Sequence, residues 1–314
     1  MINFSTGISD LLNSSDLLIP ELTNRIKNNL HGIGKESWVY FIPFLMSYNL
    51  FPRRSLYLLE DSGSDIIFQH LKNDAHEKLD LIVPPFPLTV KSLDWIDTFS
   101  SFVSNQLNQD SIRIIWTDSC DMNCLSDYFG NRLSVEKKQI EYQYDIQSVV
   151  DMRGHDFRDL RKAVNKIKKL SPNFREMEYK DIGRVMKLLK DWKRSQGRKN
   201  DFLLDWGYTK KALLTFSEFS KEDLYSWCIE IDNKTVGFAM AGPITENTAS
   251  FFIIKTDVSI SGLSLYLRWR VFKELAQFSL LNDASDLGIP GLKQHKMKLR
   301  PSGYNTTYTV SIKC

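Results

Sequence analysis

The densest group of chemically capable side chains lies between Asp286 and Arg300, where one carboxylate is followed by Lys293, His295, Lys296, Lys298 and Arg300 within a few helical turns. Such a group can hold a phosphate through charge-assisted hydrogen bonds, or stabilise an oxyanion forming at a carbonyl that is under attack. Lys296 and Arg300 stand four apart, so on a helix they share a face. Asp286 either orients an attacking amine or caps the turn that follows it. The same text also describes a basic surface helix. His295 has the chemistry to take a proton from an incoming ammonium, but its neighbours Gln294 and Lys296 are polar and point to a surface position. Asp286 and Lys296 are the candidate catalytic residues.

Two further groups suit an anionic substrate. On a helical wheel Arg158, Lys162, Lys166 and Lys169 lie opposite the stripe Phe157, Leu160, Val164 and Ile167, with Arg161 and Lys168 at its edge. A cationic face of this kind can track successive phosphates, or it can be an ordinary solvated face. The run Ser259-Ile260-Ser261-Gly262-Leu263-Ser264 precedes another helical stretch. There Gly262 and Ser264 either help backbone N–H groups cradle a phosphate or simply begin the helix.

Covalent and metal chemistry find no support in the spacing. No Gly-x-Ser-x-Gly elbow or nucleotide-kinase loop occurs, and His31, His70, His76 and His155 form no spaced set. Cys120 and Cys124 make a lone C-x3-C with no second pair at finger-like spacing, so no zinc site is expected. Four unpatterned cysteines suit a reducing compartment. The N-terminus lacks the charged start and apolar run of a signal peptide, and the most apolar stretch, Trp38 to Leu50, is too short to span a bilayer and contains Pro43. A soluble protein of the cytoplasm is the expectation.

The elements that must position these groups read as α/β. At 314 residues the chain suits two lobes, and 42% hydrophobic with 25% charged residues is the balance of a folded protein. In the first lobe, Ser55–Leu59, Asp65–Phe68, Lys78–Val83 and Ile112–Trp116 are apolar runs of strand length, and Ser92 to Leu107 has helical spacing. Pro84-Pro85-Phe86-Pro87 must leave the sheet, because proline cannot donate to a ladder. A boundary near residue 140 separates lobes 1–140 and 141–314.

The second lobe reads as two amphipathic helices, then strands at Leu224–Ile231, Thr235–Ala241 and Ala249–Lys255. A helix from about Leu265 to Leu280 follows, then a turn, a short helix at Leu292–Leu299 and a strand at Thr306–Lys313. Asp232-Asn233-Lys234 predicts an antiparallel hairpin.

This order resembles the N-acyltransferase fold called GNAT. More specifically, the chain resembles the soluble C-terminal domain of phosphatidylglycerol lysyltransferases and their stand-alone relatives, which are tandem GNAT-like folds. The residues that carry the resemblance are Pro84-Pro85, Tyr142-Gln143-Tyr144-Asp145-Ile146, Phe157 to Lys166, and Asp286-Leu287-Gly288-Ile289-Pro290-Gly291-Leu292-Lys293-Gln294-His295-Lys296 with Pro301 after it. The family commonly has an Asn and an acid shortly before the last block. Here Asn282 is kept and the acid is displaced.

The resemblance implies transfer of an activated aminoacyl group from an aminoacyl-tRNA to an amine or hydroxyl of a small molecule or peptide, with no cofactor. It would make Arg158, Arg161, Lys162, Lys166, Lys293 and Arg300 donor-binding, along with Gly262 and Ser264. Lys255, at the end of the strand where the GNAT fold opens its sheet, would be a wall residue of the same site. The alternatives are an acyl-CoA-dependent N-acyltransferase, suggested by Gly262, and a two-lobed binding protein that has lost its chemistry.

Overall fold

The computed structural model describes residues 7–30, 32–61, 63–74, 76–197 and 206–314; Met1–Thr6 and His31, used above, lie outside them. In chain order the first half contains α1 (Ile8–Asn13), β1 (Asp16–Leu17), α2 (Thr23–Leu30), α3 (Ile42–Tyr48), β2 (Arg54–Asp61), β3 (Ser64–Lys72), β4 (Glu77–Leu81), α4 (Val90–Leu107), β5 (Ser111–Thr117) and α5 (Ser119–Phe129). The second contains β6 (Leu133–Asp145), α6 (Ile146–Asp151), α7 (Arg158–Lys168), β7 (Asn173–Glu176), α8 (Ile182–Gly197), α9 (Trp206–Thr215), β8 (Tyr225–Ile231), β9 (Lys234–Pro243), β10 (Thr248–Thr256), α10 (Leu263–Glu274), β11 (Leu280–Ser285), α11 (Pro290–Met297) and β12 (Gly303–Lys313).

Two compact units result, and no single cut separates them. The first comprises residues 1–35, 48–139 and 306–314, the second 36–47 and 140–305. In the first unit the strands run β1-β2-β3-β4-β5-β12, with β4 and β5 parallel and the other pairs antiparallel. The amphipathic stripe expected in α4 is buried, and Thr89 and Ser92 cap that helix reciprocally. The stretch Pro84 to Pro87 holds no strand between β4 and α4, but it does not leave the sheet altogether, since the non-proline Phe86 exchanges both backbone hydrogen bonds with Asp65 of β3 at 3.0 Å.

In the second unit the order is β6-β11-β10-β9-β8-β7. The hairpin of β8 and β9 is antiparallel, and β9 with β10 continues the meander. Leu160, Val164 and Ile167 of α7 pack with Leu267, Val271 and Phe272 of α10 into one core. The helix expected to reach Leu280 stops at Glu274, and β11 begins at Leu280. A two-residue apolar run such as Leu280-Leu281 is compatible with a helix end or a strand, and here pairing with Thr248–Ser250 on one side and Tyr144–Asp145 on the other decides it.

The strand at 280–285 helps to shape the site. β10 and β11 pair through only three rungs, Thr248–Leu280, Ala249–Leu281 and Ser250–Asn282. Beyond them β10 has a register shift between Phe251 and Ile253, and β11 has one between Asn282 and Ser285. The two parallel strands therefore part company, and a bulge of this kind re-aims side chains. No described helix is long and apolar enough to cross a membrane.

Candidate active site

Where β10 and β11 separate, three charged side chains meet out of contact with water. Arg268 comes from α10, Asp283 from β11 and Lys296 from α11, and all are buried, with no more than 4% of each exposed. A guanidinium nitrogen of Arg268 lies 2.5 Å from Asp283 Oδ2, and Lys296 Nζ lies 3.0 Å from the same oxygen. Lys296 also donates to the Asp283 carbonyl, and its ammonium stands 5.5 Å from the Tyr142 ring centre. The hydroxyl of Tyr144 donates to the Lys296 carbonyl at 3.2 Å and fixes α11 in place.

Two cations thus share one carboxylate where solvent cannot compensate the surplus. Burial lowers the Lys296 pKa to about 8, with Asp283 opposing the shift and Arg268 reinforcing it. Burial acts to raise the Asp283 carboxyl, but Arg268 and Lys296 outweigh it and hold the group below the usual range. Arg268 Nε has no hydrogen-bond partner among the described residues.

Around this centre lies a second layer. Asp286 accepts from the Tyr142 hydroxyl at 2.5 Å and from the Gly288 N–H at 2.9 Å. The second bond closes a turn in which Leu287 and Gly288 both have positive φ. Tyr142 meets Tyr304 nearly perpendicularly at 5.5 Å. His295 is half-buried rather than on the surface, with Nε2 3.3 Å from Ser264 Oγ at the start of α10. Burial and Arg268 push its pKa down to about 3, so it is neutral at physiological pH and too weakly basic to serve as a base there.

Beneath the centre, Glu141 is fully buried. Its Oε1 accepts from Ser37 Oγ (2.8 Å), and its Oε2 accepts from Trp38 N–H (3.2 Å), Asn282 Nδ2 (2.7 Å) and Asn305 Nδ2 (3.0 Å). Burial outweighs these donors and raises the carboxyl pKa.

The structure brings together some of the residues singled out by sequence and separates others. Lys296, Asp286 and Ser264 converge here, Ser264 through His295. Gly262 takes φ +93° at the start of α10, and a β-carbon there would lie 3.4 Å from that of Ala163, so the loop is packed on α7. Arg158, Lys162 and Lys166 are exposed along α7; Arg158 has Asp159 at 3.7 Å. Arg161 is engaged locally, donating to the Met152 and Gly154 carbonyls. Arg300 donates to the Asp156 carbonyl at 3.0 Å, which ties α11 to the start of α7, while Lys293 is exposed. Lys255 is buried elsewhere, with its ammonium 3.9 Å from the Trp192 ring centre beneath α8.

Arg268, Asp283 and Glu141 were not singled out by sequence as site residues, and Tyr142 figured there only in the run that carries the family resemblance. Arg268 did carry a signal, one cation inside the otherwise apolar Leu265-Tyr266-Leu267-Arg268-Trp269. Asp181, Cys228 and Glu230 approach within 4.8 Å of one another, close enough to suggest metal ligands. However, Arg175 and Arg184 lie 2.5 to 3.2 Å from both carboxylates, so the group is an ion-paired tie between β7, β8 and α8.

A family model described as phosphatidylglycerol lysyltransferase, C-terminal, matches residues 114–311. A solved structure of a conserved protein of unknown function from Bacteroides thetaiotaomicron is similar at a TM-score of 0.80 and 15% identity, covering 95% of this chain and 99% of that one. L-PGS from Bacillus licheniformis gives 0.66 at 15% identity, covering 95% and 93%, and FemX gives 0.59 at 8%, covering 90% and 95%. At such identities the likeness shows the fold, which is the tandem GNAT-like α/β arrangement expected from sequence. A comparison with curated proteins found no match.

Proposed function

Because the chain belongs to the phosphatidylglycerol lysyltransferase C-terminal domain family, and is thereby an acyl- or aminoacyl-transferring enzyme, we propose that it moves an aminoacyl group from an aminoacyl-tRNA to an amine or hydroxyl of a small molecule or peptide. The reaction is proposed to run in the cytoplasm without a bound cofactor.

The observation that carries this reading is the pair of buried cations, Arg268 and Lys296, on the single carboxylate of Asp283. A desolvated site with surplus positive charge gains most when negative charge develops within it, as happens when a nucleophile adds to an ester carbonyl. The acceptor nitrogen or oxygen forms the new bond to that carbon. Lys296 and Arg268 stabilise the oxyanion, and the bond to the ribose oxygen then breaks. Asp286, partly open to solvent, takes the proton of the attacking group, which ends on the departing ribose oxygen. The donor is already activated, so positioning supplies much of the rate and no covalent nucleophile is required.

Transfer from a mixed pool of charged tRNAs to candidate amines, followed by mass spectrometry, tests the proposal. Wild type should yield an aminoacyl product, and Lys296→Gln should lower kcat by about 10²–10³-fold. Absence of product with every charged tRNA would remove the tRNA donor. Acyl-CoA is the competing donor, supported by the left-handed Gly262 at the α10 N-terminus. Thermal shifts with CoA esters test it, and none is expected.

A further inference from the structure

Tyr304 is 55% exposed, although it stands directly beside the buried centre. Its ring is held in two places, by the near-perpendicular contact with Tyr142 and by its hydroxyl, 3.6 Å from the sulfur of Met297. Tyr142 in turn lies 5.5 Å from the Lys296 ammonium, so two steps of one ring each lead from the proposed reacting centre to an open aromatic surface. The surrounding chain is cationic. Lys293 and Arg300 are exposed, and Arg300 binds the Asp156 carbonyl at the head of α7, whose exposed face carries Arg158, Lys162 and Lys166. An open ring at the end of a cationic track is the arrangement by which proteins hold a single strand, with bases on the rings and phosphates on the cations.

We infer that Tyr304 is a stacking platform for a nucleobase, that of the nucleotide bearing the ester. The inference rests on the functional reading above and adds to it the group that positions the donor's terminus. Tyr304 is a positioning residue here, because the base it holds is not the reacting part of the substrate.

The test is a two-way cycle read by calorimetric titration at fixed low salt. The probes are the trinucleotide CpCpA and the same molecule with its third base removed, and the proteins are wild type, Tyr304→Phe and Tyr304→Leu. Loss of one base stack is worth about 1–3 kcal/mol, or roughly 5- to 150-fold in affinity. Tyr304→Leu should weaken CpCpA by that factor and leave the abasic probe unchanged, whereas Tyr304→Phe should bind both within about twofold of wild type. Equal binding of CpCpA by wild type and Tyr304→Leu would overturn the platform. So would an equal effect of base removal in the two proteins, or no wild-type binding at millimolar probe. Transfer from charged tRNA is followed in the same preparations. Transfer without coupling between ring and base rejects the platform and leaves the functional reading, while coupling without transfer supports the platform and rejects that reading.

Discussion

Lys296 keeps its charge in a place that disfavours it. With a pKa of about 8 it is mostly protonated at pH 7, yet it gives up its proton far sooner than a solvent-exposed lysine. If the ammonium stabilises the oxyanion, kcat falls as pH rises through about 8, because the species removed there is the catalytic one. Single-turnover rates across neutral to alkaline pH should show that falling limb in wild type and lack it in Lys296→Gln. A rate that instead rises through the same range would make the neutral amine a base and reverse the assignment. Lys296 was legible in sequence as part of a basic cluster, but its burial was not, because the carboxylate that holds it comes from β11 and the second cation from α10. Asp283 directly follows Asn282, but nothing in its local sequence marks it as the partner of two buried cations.

At the level of elements, α7 was the most legible part of the molecule, since its apolar stripe and cationic face follow directly from 3.6-residue spacing. The structure distinguishes among its cations. Lys162 and Lys166 are exposed, while the Arg161 guanidinium holds the 152–154 turn. Lys162→Ala and Lys166→Ala should therefore each make the plot of log affinity for tRNA against log salt shallower, by about 0.7–0.9 for every phosphate that the lysine neutralises. Arg161→Ala should act mainly on stability. Filter binding across a salt series measures the slopes, and unchanged slopes in both lysine variants would return this face to the role of a solvated surface. The boundary of α10 with β11 was the least legible, because no local signal marks where an apolar helix yields to a short strand whose partners are distant in sequence.

At the scale of the molecule, the second unit cannot be read as one continuous stretch, since residues 36–47 belong to it together with 140–305. Glu141 shows how these pieces are held. Ser37 and the Trp38 N–H reach it from the early segment, Asn282 from β11 and Asn305 from β12. Asn282 cannot turn its amide over, because its Nδ2 also donates to the Glu36 carbonyl and its Oδ1 accepts from the Ala284 N–H. The Trp38 donor is backbone and equally fixed. One oxygen of the Glu141 carboxyl must therefore remain an acceptor, while the other faces a hydroxyl that can either give or take a hydrogen bond. A glutamine can serve the same partners, its Oε1 taking the three donors on Oε2 and its Nε2 facing the Ser37 hydroxyl, which can accept. Glu141→Gln should then stay within about 1 kcal/mol of wild type, whereas Glu141→Leu strands Trp38 N–H and both asparagine amides at about 1–3 kcal/mol each. Urea denaturation of the two variants decides the matter. Comparable losses in both would mean that the negative charge itself, rather than an oxygen acceptor, ties residues 36–47 to β11.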